Sequence, residues 1–135
     1  MPSTPQELFE RYTWTGLTRN ADARADMFTP DGVLEAPFAP AGRPIPQRVE
    51  GREEIRAVLS ALYREPPAAG QKVDADKSRY LLHETADPGV FIAEIDAVLE
   101  TAGVPETVSI VQIFRIREDG KIAMLRDYFA PGQVT

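Results

Sequence analysis

The chain has no cysteine and a single histidine, His83. Disulfides are therefore excluded, and a zinc site of the usual Cys/His type has no ligand set. No apolar run approaches the length of a membrane span. Positive charge is scarce: 15 Lys and Arg against 21 Asp and Glu give a formal net charge of -6. That balance argues against nucleic acid as a partner, because a phosphate backbone needs a basic face. Gly-x-Gly-x-x-Gly and Walker-type loops are missing, so a nucleotide cofactor has no support, and so is a Gly-x-Ser-x-Gly elbow. No spaced Asp/Asn/Gly loop offers a calcium site. The N-terminus has neither a basic n-region nor an apolar h-region, which points to the cytoplasm rather than to secretion. What is left is chemistry done by carboxylates, amides and phenols, with no metal and no cofactor.

What is present is a chain whose 135 residues suit one domain, 1–135, with one core. Its end is organised as two β-rich runs, residues 107–116 and 121–129, joined by Asp119-Gly120. Asp-Gly between such runs predicts a two-residue hairpin loop, since both residues tolerate φ > 0. Register then places Ile116 opposite Ala123, Phe114 opposite Leu125, Gln112 opposite Asp127 and Ile110 opposite Phe129. Alternation puts all of them on one face. That face is apolar except for the Gln112–Asp127 pair. A carboxylate there costs several kcal/mol unless it is partnered, protonated or wet. A catalytic or binding pocket would explain it. A structural hydrogen bond, or a pair at a wet sheet edge, would explain it too.

Upstream, Thr4-Pro5-Gln6-Glu7 reads as a capping box with proline at the first helical position, opening a helix that ends near Gly16 or Leu17. Leu8, Phe9 and Tyr12 share its apolar face. Tyr12 can be a core aromatic or can project its hydroxyl into a pocket; the core reading is the commoner one, for Trp14 as well. Asn20 predicts the cap of a second short helix running to about Phe28, stopped by the turn residues Thr29-Pro30-Asp31-Gly32. Residues 33–36 predict a short strand. Residues 37–50 hold prolines 37, 40, 44 and 46 and predict a stiff loop, where Arg43 and Arg48 could meet an anionic group or simply be solvated. After Gly51, the spacing of Ile55, Val58, Leu59, Leu62 and Tyr63 predicts an amphipathic helix ended by Pro66-Pro67. Residues 66–72 predict a linker loop within the domain. A strand over 77–84 carries His83, read as a surface residue with a proton-carrying role in reserve. A strand over 90–101 shows Phe91, Ala93, Ile95, Ala97 and Leu99 on one face. Glu94, Asp96 and Glu100 lie on the other, as a solvated or subunit-contacting stripe.

Helices first and long strands last predict an α+β fold, an antiparallel sheet with helices on one side. Three segments, Met27 to Gly32, Val49 to Arg56 and Asp119 to Phe129, carry a resemblance that extends over almost the whole chain. It resembles the nuclear transport factor 2-like superfamily, in its SnoaL-like polyketide cyclase branch. It is also similar to the phenazine-biosynthesis A/B proteins, limonene-epoxide hydrolases and ketosteroid isomerases. The resemblance implies a cone-shaped curved antiparallel sheet with three helices from the N-terminal half packed over an apolar cavity. It places Asp127 where epoxide hydrolases of this fold hold an aspartate and phenazine A/B proteins an acid/base glutamate. Tyr12 falls at the isomerases' oxyanion-hole tyrosine and Gln112 at their protonated aspartate. The isomerases' base falls on Ala36. The hydrolases' water-holding tyrosine and asparagine fall on Leu34 and Ala36, and their arginine and second aspartate on Ile95 and Ala97.

The function this implies is a cofactor-independent acid/base enzyme acting on an apolar small molecule, a polyketide-like or aromatic intermediate. Isomerisation, cyclisation, condensation or epoxide opening would each fit. Asp127, Gln112 and Tyr12 are the expected catalytic residues. Trp14, Phe38, Leu59, Tyr63, Ile95, Ile110, Phe114, Leu125 and Phe129 are the expected substrate contacts. The other reading is a non-catalytic binder or dimeric scaffold, with Asp127 and Gln112 tied to each other. In either case Val111, Ile113, Met124 and Tyr128 on the opposite face suit a homodimer contact.

Overall fold

A computed structural model describes residues 3–39, 46–65 and 71–129. Helix α1 spans Pro5–Leu17, and its capping box is complete: Glu7 N donates to Thr4 Oγ1 at 3.2 Å and Thr4 N to Glu7 Oε1 at 3.0 Å. Helix α2 is one short run, Ala21–Ala25, capped by Asn20, whose Oδ1 accepts from Ala23 N at 3.0 Å. It stops three residues before the predicted end, because Phe28 already belongs to strand β1, Phe28–Glu35. The turn chemistry expected at residues 29–32 survives as an irregularity inside β1, where the register slips between Phe28 and Val33. Gly32 is needed there: a Cβ would lie 2.9 Å from Phe28 Cβ and 3.0 Å from the Thr29 carbonyl oxygen.

Strand β2, Arg48–Glu50, lies in the stretch expected to be loop, and pairs antiparallel with β1. Helix α3 spans Arg52–Arg64 and buries Ile55 and Leu59. Strand β3 is Gln71–Val73, whose first two residues were expected in the linker. Strands β4, Arg79–Glu84, and β5, Val90–Thr101, follow. Strand β6 is Val104–Ile116, three residues longer at its start than predicted, and β7 is Ile122–Phe129. Arg43, the prolines at 40 and 44, and Pro66-Pro67 lie outside the described residues.

The seven strands form one curved, unclosed sheet ordered β2-β1-β7-β6-β5-β3, with β4 also pairing β5. The α+β class holds, but the sheet is mixed: β1 runs parallel to β7. Parallel neighbours need a long crossover, and here nearly the whole domain lies between them. The three helices bury their apolar residues on one face. Leu8, Phe9 and Tyr12 from α1, Ala25 from α2, and Ile55 and Leu59 from α3 join Phe28, Phe91, Phe114, Ile122 and Leu125 in one cluster. Among the described residues no helix is long and apolar enough to cross a membrane.

The last hairpin departs from prediction at its tip. Gly120 N donates to the Arg117 carbonyl at 2.9 Å and Arg117 N to the Lys121 carbonyl at 2.9 Å. Only Gly120 has positive φ, +81°, so a three-residue loop replaces the expected two-residue one. Ile116 consequently faces Ile122 rather than Ala123. A shift at Arg115/Ile116 then restores the predicted pairings, Phe114 with Leu125, Gln112 with Asp127 and Ile110 with Phe129.

Candidate active site

Rows of side chains across the inner face of the sheet define the site. One row is large and apolar: Phe91, Phe114, Leu125 and Leu34 stand beside one another on β5, β6, β7 and β1. Phe91 and Phe114 stack with ring centroids 4.6 Å apart. Two residues further on, Ala93, Gln112 and Asp127 form the next row. Ala36 stands one step past the last β1–β7 pair, on the Asp127 side. Beyond that, Ile95, Ile110 and Phe129 are opposite one another. Phe129 and Ile110 belong to a second, smaller apolar cluster with Ala36 and Ala39. The polar pair thus lies at the seam between two apolar clusters, and the residues flanking it on both sides are alanines.

Burial shapes the chemistry of this row. Gln112 is 9% exposed, and Asp127 is half-buried as a residue with its Oδ1 sealed from solvent. Desolvation pushes the Asp127 carboxyl up to about 6, against the opposing pull of the Arg24 cation and of Gln112 as a hydrogen-bonding neighbour. Even so, Asp127 Oδ1 and Gln112 Oε1 have no hydrogen-bond partner among the described residues. Tyr12, 2% exposed, stands above in α1, its ring edge-on to Phe114 at 5.6 Å and Phe28 at 6.1 Å. Burial first, and then the Asp127 charge, hold its phenol well above the usual tyrosine range, so it stays neutral and able to donate.

Arg24 is the member of this group that sequence reasoning missed. Its guanidinium carbon lies 3.9 Å from the Tyr12 ring centroid. Its Nε donates to Thr15 Oγ1 at 3.2 Å, Nη1 to the Tyr63 hydroxyl at 3.1 Å and Nη2 to the Tyr12 carbonyl at 3.2 Å. A signal existed. Ala21, Arg24, Ala25 and Phe28 have helical spacing, so an arginine falls within a stripe whose other members are apolar.

The remaining expected contacts divide. Leu59, Phe114, Leu125 and Phe129 are buried, and Tyr63, Ile95 and Ile110 are partly buried beside them. Trp14 is 65% exposed, neither in the core nor near the row: the buried stripe of α1 is Leu8, Phe9, Tyr12 and Thr15, and two residues past Tyr12 a helix points the other way. Phe38, 57% exposed, packs its ring 5.5 Å from Tyr128, which alternation places on the outer face. Arg48 is engaged by Glu35 and Glu50 rather than awaiting an anion. His83 is exposed, its Nε2 2.5 Å from Glu94 Oε1. Asp96 accepts from Ser109 at 2.9 Å. Both carboxylates lie on the outer face, as alternation predicted. Among the described residues no cluster of His, Asp and Glu could hold a metal ion.

Residues 6–125 match the family model of the SnoaL-like domain. An uncharacterised PhzA/B-like protein of Pseudomonas aeruginosa is 35% identical over 119 residues, covering 85% of this chain and 77% of its own length. Solved structures share the fold. A Bacillus subtilis protein provisionally assigned as an isomerase has a TM-score of 0.70 at 22% identity, over 92% of this chain and 84% of its own. The epoxide hydrolase/cyclase-like enzyme SalBIII, described for pyran ring formation in the polyether salinomycin, has a TM-score of 0.63 at 19% identity, over 93% and 89%.

Proposed function

This chain belongs to the SnoaL-like domain family, and from that premise we propose that it is an acid/base enzyme, working without a cofactor on an apolar small molecule of polyketide-like or aromatic kind. One observation carries the reading: an inward carboxyl, Asp127, whose pKa burial raises to about 6 and whose Oδ1 has no hydrogen-bond partner among the described residues. A base with a midpoint slightly below neutrality is largely ionised at pH 7 and still gives its proton back readily. The described fold neighbours include an isomerase-like and a cyclase-like protein, which supports the reaction class by analogy of fold alone.

In this reading Asp127 takes a proton from carbon next to a carbonyl, and the electron pair moves onto the carbonyl oxygen, which Tyr12 O–H meets as a donor. Return of the proton at another carbon is isomerisation. Attack of the enolate on a second carbonyl is cyclisation or condensation. The protonated form of Asp127 can instead donate to an epoxide oxygen. Gln112 orients the carboxyl. Ile110, Phe129, Ile95, Leu59 and Tyr63 bound the apolar body of the guest, and Phe114 and Leu125 form its floor. The outer face, with Val111, Ile113, Met124 and Tyr128, serves a homodimer in the cytoplasm; a monomer in sedimentation velocity would remove that part.

The test needs no natural substrate. Exchange of the acidic α-hydrogens of 2-tetralone in deuterated water, followed by proton NMR, reads proton abstraction directly. Wild type is expected to accelerate exchange and Asp127→Asn to lose about 10²–10⁴-fold of that rate. No acceleration by wild type, or equal rates in the variant, would sink the enzyme reading. A non-catalytic binder is the second reading, favoured by the near-complete burial of Tyr12, which leaves its phenol little room to meet a guest. Ligand binding without exchange activity would select it.

A further inference from the structure

Gln112 Oε1 and Asp127 Oδ1 stand on facing strands in one row, both buried and both without a partner among the described residues. An amide oxygen and an ionised carboxylate oxygen are acceptors only. Folded proteins leave few buried polar atoms unpaired, and each one is costly. The nearby cation makes no hydrogen bond to either: Arg24 directs Nε, Nη1 and Nη2 to Thr15, Tyr63 and Tyr12. The flanking alanines, Ala93 and Ala36, carry no donor.

We propose that the small molecule received here presents a neutral hydrogen-bond donor, an O–H or N–H on a flat apolar ring, to Gln112 Oε1 and Asp127 Oδ1. This rests on the reading above in one respect: the guest must occupy the inner face beside Asp127. The acceptor pair selects for chemistry. A phenol or enol O–H can share its one hydrogen between the two oxygens in a three-centre bond and hand that proton to the carboxylate. An ether or simple ketone leaves both oxygens unpaired. A carboxylate brings a second negative charge against Asp127. Phe129 and Ile110 on one side of the row, and Phe114 and Leu125 on the other, suit an aromatic ring.

The experiment compares 2-naphthol, 2-methoxynaphthalene and 2-naphthoate, titrated into the whole protein at pH 7.5. The carbon-13 resonance of the Asp127 carboxyl is followed alongside. We expect 2-naphthol to bind about ten- to hundredfold more tightly than its methyl ether, with the naphthoate weakest. In Asp127→Leu, which replaces a buried carboxyl by an apolar group of similar size, the advantage of the naphthol falls to about threefold or less. Equal binding of naphthol and ether to wild type, or a full naphthol preference retained in Asp127→Leu, overturns the proposal. If the bound compounds then still shift the Asp127 resonance and 2-tetralone exchange still depends on Asp127, only the donor rule has failed and the acid/base reading stands. Failure of all three compounds to bind, with the carboxyl resonance unmoved, overturns the donor rule and the occupied inner face together.

Discussion

Two carboxylates stand on neighbouring strands of this sheet, and the protein treats them oppositely. Glu35 on β1 points to the outer face with its side chain 11% exposed, held by Arg48 and by Arg126, whose Nε lies 2.9 Å from Oε2. Asp127 on β7 follows Arg126 in sequence but points inward, and its Oδ1 has no hydrogen-bond partner among the described residues. Both side chains are largely withdrawn from water, so burial does not distinguish them. Partnership does. Two arginines compensate the charge of Glu35, which makes it part of the scaffold tying β1 to β2 and β7. Asp127 faces a cation that is committed elsewhere, so desolvation prevails and its proton is held to about pH 6.

The contrast can be broken most sharply through activity. Asp127→Asn should cost about 10²–10⁴-fold in 2-tetralone exchange, whereas Glu35→Gln should leave the rate per folded molecule unchanged. A comparable loss in both variants would erase the distinction.

Next in size is the pH dependence of stability. The folded midpoint of Asp127, about 6, lies above its ordinary value of 3.8. Between those values the folded chain holds the proton and the unfolded chain releases it. Stability from this group is therefore full below pH 4 and is lost as pH rises through 6. Wild type should lose about 2–3 kcal/mol relative to Asp127→Asn between pH 4 and pH 7, read by urea denaturation. A flat difference would mean an ordinary carboxyl.

In the same denaturation series at pH 7, Glu35→Gln should cost about 1 kcal/mol, because Arg48 and Arg126 are half-exposed and stay hydrated when the charge is removed. The finest effect is on the midpoint itself. Arg24→Gln removes the cation that opposes desolvation, so the Asp127 carboxyl should titrate higher than in wild type by carbon-13 NMR. Glu35→Gln should leave that midpoint in place. An unchanged midpoint in Arg24→Gln would show that the arginine does not act on the carboxylate.

Much of this was legible in the chain because it depends on local rules. The capping box at Thr4 and Glu7, the bounds of β5 and the facing of Gln112 and Asp127 follow from cap chemistry and two-residue alternation. Other features were hidden because their partners are distant in sequence. Nothing near Phe28–Glu35 announces that its neighbour will be the last strand, running parallel, nor that residues 48–50 will pair with it. Trp14 and Phe38 were expected as substrate contacts, and the turn of α1 and the company of Tyr128 placed them elsewhere. The Asp-Gly turn was located correctly but made with one more residue, since type I turns followed by a left-handed glycine compete with the two-residue form.

The sequence by itself determined which side chains share a face and that one acid falls on the apolar side, because strand and helix periodicities are properties of the backbone. Only the tertiary structure decided that one oxygen of this acid has no partner among the described residues. Pairing depends on which distant groups fold against the row, and here Arg24 on α2, whose charge acts on the carboxyl, bonds to Tyr12, Thr15 and Tyr63 instead. The same row is flanked by Ala93 on β5 and by Ala36 just past the end of β1, which only the folded sheet makes its neighbours.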